Sequence, residues 1–351
     1  MNIQDIQKLY GVLPQGNALI KTMEEKSVQT IFLQGLLASA TPMFFASIVK
    51  RWQKTVLFVL NDNDEAGYFY NDLKTIAMPD NANEQTAEVL FFPSSYRRAV
   101  KYGQRDAGNE ILRTEVLSRL SVINEEKTTS SLPLCIVTEP SALAELVVAK
   151  HKLDEHTLSI SVGQTIDLTE TEKTLRSYGF QQVDYVYEPG QFAVRGSILD
   201  VYSFSSELPY RIDFFGNDVD TIRTFEVETQ LSKDKKEKVE IVPELATLSE
   251  EKIPFLQFLP KESVLVMKDL LYIHDTIERI YNEGFTAQAL TEQLEGKTEI
   301  EQNELRKQLQ ANLQLVTAQQ FNDDALNFKR IEFGTKHTNA KAIIHLSLIH
   351  I

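Results

Sequence analysis

Two arginines, an aspartate and a phenylalanine alternate with apolar residues in the stretch EPGQFAVRGSILDVYSFSSELPYRIDFFG (188–216). Alternation along a β-strand sends successive side chains to opposite faces of a sheet. Within QFAVR and RIDFF, one face takes the apolar residues and the second face takes Arg195, Arg211, Asp213 and Phe215, together with Ala193. Arginine donates paired hydrogen bonds to carboxylates, and arginine and aromatic side chains anchor protein interfaces. The spacing therefore predicts a β-meander that binds a protein partner.

A simpler interpretation of the same residues stays open. Arg195 and Arg211 can pair with Asp213 or Asp200 across neighbouring strands. Such exposed ion pairs contribute little to stability and imply no partner.

A second candidate site is the segment GLLASATP, which follows the apolar run TIFLQ and precedes a helical pattern. A phosphate-binding P-loop has this position and the form GxxxxGK[ST]. Gly35 matches the first glycine, but Ala40 replaces the second glycine, Thr41 the lysine and Pro42 the hydroxyl residue. We therefore expect a degenerate, non-functional nucleotide site, and a helix with Ser39 or Thr41 as N-cap and Pro42 near the first helical position.

Three further features have weaker chemical signals. Asp64 and Glu65 follow an apolar strand as a Walker B pair does, but they begin an amphipathic helix, whose dipole favours acidic residues there. The basic stretch Tyr96–Arg105 can grip single-stranded nucleic acid or simply position the next helix. Cys135 lies in an apolar run and is expected to be a buried hydrophobic residue. No catalytic constellation stands out.

Composition excludes several classes of function. The chain has 351 residues, a net charge of −14 and a pI near 5.0, which argues against broad binding of the DNA backbone. A single cysteine excludes an internal disulfide framework and favours the cytoplasm. The histidines lack the spacing of a zinc site, and neither a secretory signal nor a membrane-spanning run is present.

The elements that would position these residues fall into two classes. Apolar runs at 30–33, 55–60, 89–92 and 134–137 alternate with helical patterns at 42–53, 64–75 and 107–122, which predicts an α/β domain with a parallel sheet. After residue 158 a helix at 170–178 leads into antiparallel strands, with SKDKKEKVE as a charged loop. The α/β pattern then returns with a strand at 264–267, helices at 270–281 and 288–314, and a strand at 342–345.

The predicted fold is thus a P-loop-like α/β domain with a small inserted α+β domain. The predicted boundaries are 1–155 for the α/β domain, 156–243 for the insertion and 244–351 for the return. The last six residues, LSLIHI, are also what a common sequencing adaptor encodes, so we expect the chain to be a fragment whose natural sequence departs beyond residue 345.

The segment GQFAVRGSILDVYSFSSELPYRIDFFGNDVDTIRTFEVETQLS (190–232) resembles the UvrB-like part of the bacterial transcription-repair coupling factor family. FAVRG, LPYRIDFF and a tail of the form DxxxIRxFxxxTQxS occur in this order in that family and in UvrB. GLLASATP and VLFFPSSY are similar to segments of the α/β domain that precedes it. The resemblance covers residues 1–345 and is most specific in its central segment.

Three departures separate this chain from UvrB itself. UvrB has an intact P-loop, and it has a long aromatic hairpin that clamps DNA where this chain has only the short segment 93–105. UvrB also has an arginine at the position of Ala193. The alternatives to the coupling factor are a UvrB-type helicase subunit and a DNA-binding module.

The resemblance implies that the inserted domain docks UvrA, the damage-recognition ATPase, through Arg195, Arg211 and Phe215, with Asp213 beside them. It implies no catalytic residue, cofactor or metal in this fragment. The intact parent would be an ATP-driven DNA translocase, cytoplasmic and not membrane-bound. ATP and Mg²⁺ would bind its downstream motor, and RNA polymerase and double-stranded DNA would bind other domains.

Overall fold

A computed structural model describes residues 3–36, 38–78, 85–95, 107–125, 132–245, 251–283, 298–299, 301–302, 315–334 and 342–345. The chain forms two compact units. The first takes its residues from 1–106, 126–147 and 253–351, and the second from 107–125 and 148–252. The predicted domain boundaries at 155/156 and 243/244 stay predictions.

The elements are numbered in chain order. The helices are α1 Ile3–Gly11, α2 Pro14–Glu24, α3 Ala40–Trp52, α4 Asn63–Ala77, α5 Ala107–Glu125, α6 Pro140–Leu143, α7 Lys150–Glu155, α8 Leu168–Ser177, α9 Phe255–Phe258, α10 Leu270–Glu283 and α11 Ala318–Ala325. The strands are β1 Thr30–Gln34, β2 Val56–Val59, β3 Glu88–Phe92, β4 Leu134–Thr138, β5 Leu146–Val148, β6 Leu158–Ser161, β7 Gln181–Gln182, β8 Gln191–Arg195, β9 Ile198–Val201, β10 Tyr210–Phe215, β11 Asp218–Phe225, β12 Ser232–Lys236, β13 Lys238–Ile241, β14 Lys252–Pro254, β15 Val264–Lys268, β16 Lys329–Phe333 and β17 Ala342–His345.

The first unit contains a parallel sheet, and its described strands lie in the order β17-β1-β16-β15-β2-β4-β3. Every pairing between the described strands of this sheet is parallel. Parallel strands covered by helices read as continuous apolar runs, and β2 (VLFV) and β4 (LCIVT) are buried at every position. The predicted α/β class is confirmed, as are the strands and helices predicted within the described residues of this unit.

Aromatic rings form much of the core of this unit. The ring of Phe45 on α3 meets Phe58 of β2 edge-on, with 5.1 Å between their centroids, and Phe58 lies 5.1 Å from Phe69 of α4. Cys135 of β4 is fully buried in the same core, as predicted, and burial raises the pKa of its thiol. These contacts fix α3 and α4 against the sheet.

The second unit contains an antiparallel sheet in the order β12-β11-β10-β9-β8-β7, with a parallel pairing of β7 and β8 at one edge. Its main core covers the face that carries Phe192, Leu199, Ile212 and Ile222, and helix α8 contributes Leu175. Asp167 caps α8, because its side chain accepts hydrogen bonds from the backbone N–H of Thr169 and Glu170. The alternation read from the sequence therefore placed the apolar face correctly.

The charged run SKDKKEKVE is not a loop, so that prediction was wrong. Ser232–Lys236 forms β12, which pairs antiparallel with β11, and Lys238–Ile241 forms β13, which pairs with β6. Every residue of β12 is exposed, so the strand has no apolar side and is held by backbone hydrogen bonds. Lysines on such an edge strand also discourage pairing with other chains.

The basic stretch Tyr96–Arg105 and nearly all of the predicted helix 288–314 lie outside the described residues. Among the helices that the structure describes, we find none with the length and apolar character needed to span a bilayer.

Candidate partner-binding surface

The register of the second sheet brings the charged residues of the opening motif together. Asp200 of β9 lies between Ala193 of β8 and Arg211 of β10, and Arg211 in turn lies opposite Arg223 of β11. Two residues further along these strands, Arg195 and Asp213 are both paired with Ile198. We call this side of the sheet the arginine face and define it by Arg195, Asp200, Arg211, Asp213, Phe215 and Arg223.

Asp200 is the central group of the arginine face. Arg211 donates to it from Nε to Oδ1 and from Nη2 to Oδ2, both at 2.8 Å, and Arg195 donates from Nη2 to Oδ2. The side chain of Asp200 is 0% exposed. The pairing of both arginines with Asp200 was among the sequence predictions, but the prediction that these ion pairs are exposed was wrong.

A small apolar cluster lies beside these charges, since Ala193 is paired with Asp200 and the guanidinium of Arg211 lies over the ring of Phe225. Val186, Ala193, Tyr202 and Phe225 are all buried together, and Val183 and Val227 pack against them. Ala193 is therefore buried, although alternation had placed it with the outward residues. Residues outside strands β8 and β10 supply most of this cluster, which is why the alternation of those strands gave no sign of it.

Arg211 is held on several sides. Its Nη1 donates to the backbone carbonyl of Gln230 at 3.0 Å, and its guanidinium lies 4.4 Å from the ring centroid of Phe225. The side chain is 14% exposed. Hydrogen bonding to Asp200 raises the pKa of the Arg211 guanidinium above its ordinary value, so the group stays charged. Arg211, which was predicted as a contact residue, is thus mostly enclosed by its neighbours within the arginine face.

Arg195 is more open, with 34% of its side chain exposed. Its Nη1 donates to the backbone carbonyl of Asp184 at 3.0 Å, and its guanidinium lies 5.0 Å from the ring centroid of Tyr185. Tyr185 is itself exposed and was not predicted as a site residue. It precedes β8, so strand alternation could not reveal it.

Asp213 and Arg223 form a second ion pair on the arginine face. Arg223 Nη2 donates to Asp213 Oδ2, and Thr221 Oγ1 donates to the same oxygen at 2.9 Å. Both charged side chains are partly exposed. Sequence reasoning named Asp213 and missed Arg223, although Arg223 belongs to the quoted tail DxxxIRxF.

Phe215 lies at the end of β10, beside the tight connection to β11. Gly216 has φ +64°, a left-handed conformation that favours glycine, and Phe215 is paired with Asp218 across the turn. The phenylalanine is 83% exposed. An apolar ring of this size on the surface can fill a pocket on a partner.

The candidate nucleotide site lies in the first unit, at the carboxyl ends of β1, β2, β15 and β16. A pocket of about 560 Å³ is present there and includes Ser39, Glu65, Asp72 and Lys268 in its lining. Ser39 Oγ donates to Asp72 Oδ2 at 3.0 Å, and Lys268 Nζ donates to Glu65 Oε1. Four of the polar side chains in the lining are therefore already paired with one another.

The residues aligned with the P-loop motif have structural positions. Gly35 has φ +98°, and helix α3 begins at Ala40, with Thr41 and Pro42 buried in its first turn. Ser39 occupies the N-cap position, as predicted, but its side chain makes no capping bond. Pro42 is the third helical residue, whereas the prediction placed it near the first.

The acidic pair Asp64-Glu65 lies in the first turn of α4, as predicted. The backbone N–H of Glu65 donates to the cap residue Asp62 at 2.9 Å. Its carboxylate accepts from Lys268, as described above. These contacts are those of a helix start and a nearby ion pair.

One potential metal-ligand group occurs among the described residues. His274, Asp275 and Glu278 lie close together on α10, with both carboxylates exposed. Exposed acidic groups of this kind are common without a metal, so this cluster adds no site.

Comparison with known proteins assigns the segment that carries the arginine face. Residues 158–246 match the model of the UvrB interaction domain. Over 222 residues, the chain is 33% identical to the transcription-repair-coupling factor of Escherichia coli. It is 26% identical over 230 residues to that of Bacillus subtilis. The predicted resemblance is therefore confirmed.

These alignments cover 63% of this chain in both cases, but 18% of each relative. The chain thus spans less than a fifth of the length of the coupling factors that it matches. The Haemophilus influenzae factor gives the same picture, with 26% identity over 60% of this chain and 17% of the relative.

Proposed function

We propose that this chain is a UvrA-recruiting module of a transcription-repair coupling factor, and that the arginine face is its docking surface. The observation that carries the proposal is the exposed ring of Phe215 within a segment of the UvrB interaction domain family. An exposed aromatic ring on the same sheet face as arginines is the kind of group that anchors protein interfaces. The arginines and the resemblance both point to a protein partner.

The charge of the arginine face suits an acidic partner surface. Its three arginines and two aspartates leave one net positive charge, in a chain whose net charge is −14. Of the two arginines bound to Asp200, Arg195 has the more exposed side chain, so its guanidinium can donate to a carboxylate of UvrA. Phe215 would fill an apolar pocket, and Asp213 would orient Arg223 beside it.

Replacing Phe215 with alanine tests the proposal. We expect the Phe215→Ala variant of the 351-residue chain to bind purified UvrA about tenfold more weakly or worse, because a buried aromatic anchor contributes about 1.4 kcal/mol or more. Stability should not change, since the ring is 83% exposed in the free chain. Isothermal titration calorimetry measures the affinity, and chemical denaturation the stability.

Leu271→Ala is the matched control. Leu271 is an exposed apolar residue on α10 of the first unit, and its loss should leave UvrA affinity unchanged. If Phe215→Ala and Arg195→Ala both bind UvrA within twofold of the wild type, the arginine face is not the docking surface.

The activity of the whole protein is a further part of the proposal. We infer that the parent is an ATP-dependent DNA translocase that acts on stalled RNA polymerase, with double-stranded DNA and polymerase bound by other parts of the protein. We further propose that this fragment uses no cofactor or metal and has no enzymatic activity. Support comes from the paired Ser39–Asp72 and Glu65–Lys268 groups in the pocket.

Two questions from the sequence analysis stay open. Tyr96–Arg105 can bind nucleic acid or simply position the next helix, and we expect weak or no binding; a salt titration of DNA binding with Arg97→Ala and Arg98→Ala tests this. The cytoplasmic location is the other.

A further inference from the structure

Asp200 receives hydrogen bonds from two arginines of the proposed docking surface. Its Oδ1 accepts from Arg211 Nε, and its Oδ2 accepts from Arg211 Nη2 and Arg195 Nη2. Because its side chain is 0% exposed, Asp200 cannot touch a partner itself. Any effect of this carboxylate on docking must act through the arginines.

The geometry of these bonds fixes two guanidinium planes at once. Two parallel bonds from Arg211 set its plane against the carboxylate, and the Gln230 carbonyl and the Phe225 ring hold the other side. Arg195 is fixed by Asp200 at one nitrogen and by the Asp184 carbonyl at another. Arginine side chains in water sample many rotamers, and fixing them before binding lowers the entropic cost of association.

The fixed arginines still have donors for a partner. A guanidinium carries five N–H donors, of which the contacts above use three in Arg211 and two in Arg195. Asp200 also neutralises one of their two positive charges. The remaining donors and single net charge of this trio fit one carboxylate of an acidic partner segment.

We propose that Asp200 is the positioning residue of the docking surface: it holds Arg195, the more exposed of its two arginines, in the orientation that receives a partner carboxylate. This inference rests on the proposed function and adds a residue that neither the sequence nor the family match assigns to binding. The competing explanation is that Asp200 only stabilises the second unit. The two explanations differ in what happens to affinity while the protein remains folded.

The test is the Asp200→Asn variant, which keeps the shape of the side chain and removes its charge. We expect the folded 351-residue variant to bind purified UvrA at least fivefold more weakly than the wild type. A double-mutant cycle gives the decisive readout. In an Arg195→Ala background, Asp200→Asn should cost much less affinity than it does alone, whereas in a Phe215→Ala background its cost should be unchanged.

Ile212→Val is the control for a general loss of stability. Ile212 is fully buried and packs in the main apolar core of the second unit, on the opposite side of the sheet from the arginine face. Its shortening should lower the unfolding midpoint and leave UvrA affinity unchanged. If folded Asp200→Asn binds within twofold of the wild type, or if its cost is the same with and without Arg195, the positioning role is refuted.

Arg195→Lys supplies a second variant in case Asp200→Asn fails to fold. Lysine keeps the charge but lacks the planar fork that can bond Asp200, Asp184 and a partner at once. We expect a loss close to that of Arg195→Ala, and wild-type affinity in Arg195→Lys would overturn the inference. Failure of the proposed function is distinguishable, because then Phe215→Ala and Arg195→Ala would also bind normally.

Discussion

The carboxyl edge of the parallel sheet and the arginine face of the antiparallel sheet use the same kinds of groups with opposite results. At the edge, Glu65 pairs with Lys268 and Asp72 accepts from Ser39, so these four groups carry a net negative charge. On the arginine face, Asp200 is shared by two arginines, which leaves a positive charge, and an exposed phenylalanine lies on the same sheet. The charge left over at the edge is negative and repels phosphate, whereas the charge left over on the arginine face is positive and can attract a carboxylate.

The largest expected effect on stability comes from Arg211→Ala, and it should exceed the effect of Arg195→Ala. Arg211→Ala leaves buried Asp200 with only its bond from Arg195, and we expect a loss of about 2–3 kcal/mol in the free energy of unfolding. Arg195→Ala should cost about 1 kcal/mol or less, because its side chain is more exposed and gives Asp200 one bond. Urea denaturation measures both.

Equal losses in the two variants would break the comparison. They would mean that Arg211 and Arg195 contribute equally to the stability of the second unit, although Arg211 is the more buried of the two.

A smaller effect is expected at the carboxyl edge. Gly334 has φ +125°, and a β-carbon there would lie 2.3 Å from Asp269 Oδ1. We expect Gly334→Ala to lower the free energy of unfolding by about 2 kcal/mol, since both the backbone and the neighbour must shift.

Gly67→Ala is the matched control, because Gly67 lies within α4 and its added methyl would meet no atom within 4 Å. That change should be neutral or stabilising by up to about 1 kcal/mol. A Gly334→Ala variant as stable as the wild type would show that the edge can open, and that the pocket is less closed than its pairs suggest.

The smallest expected effect is that of nucleotide. We expect 1 mM MgATP to leave the thermal unfolding midpoint of the chain unchanged, because the lining carboxylates of Glu65 and Asp72 repel phosphate. A site with micromolar affinity would stabilise the protein by about 4 kcal/mol at that concentration, so a real site could not be missed. A saturable upward shift would contradict the degenerate site.

The sequence predicted the sheets better than the surfaces. Buried strands such as β2 and β4 consist of apolar residues throughout, so their composition alone identifies them. The strand β12 (SKDKK) has no apolar side and exists through pairing with β11, which no local pattern indicates.

The candidate site shows the same limit. Alternation placed Arg195, Arg211 and Phe215 on one face, and the structure agrees. It could not show that Ala193, the strand neighbour of Asp200, is buried with Val186, Tyr202 and Phe225, because these three residues lie outside strands β8 and β10. Long-range packing therefore decided which arginine is open and which is enclosed.

The buried thiol of Cys135 has a practical consequence. It is the single cysteine of the chain, it lies fully buried in β4, and burial raises its pKa, so a thiol reagent meets almost no reactive thiolate while the sheet is closed. The rate of modification then follows transient opening of the parallel sheet. Opening of the first unit can therefore be followed by thiol modification of the natural sequence, with no cysteine introduced by mutation.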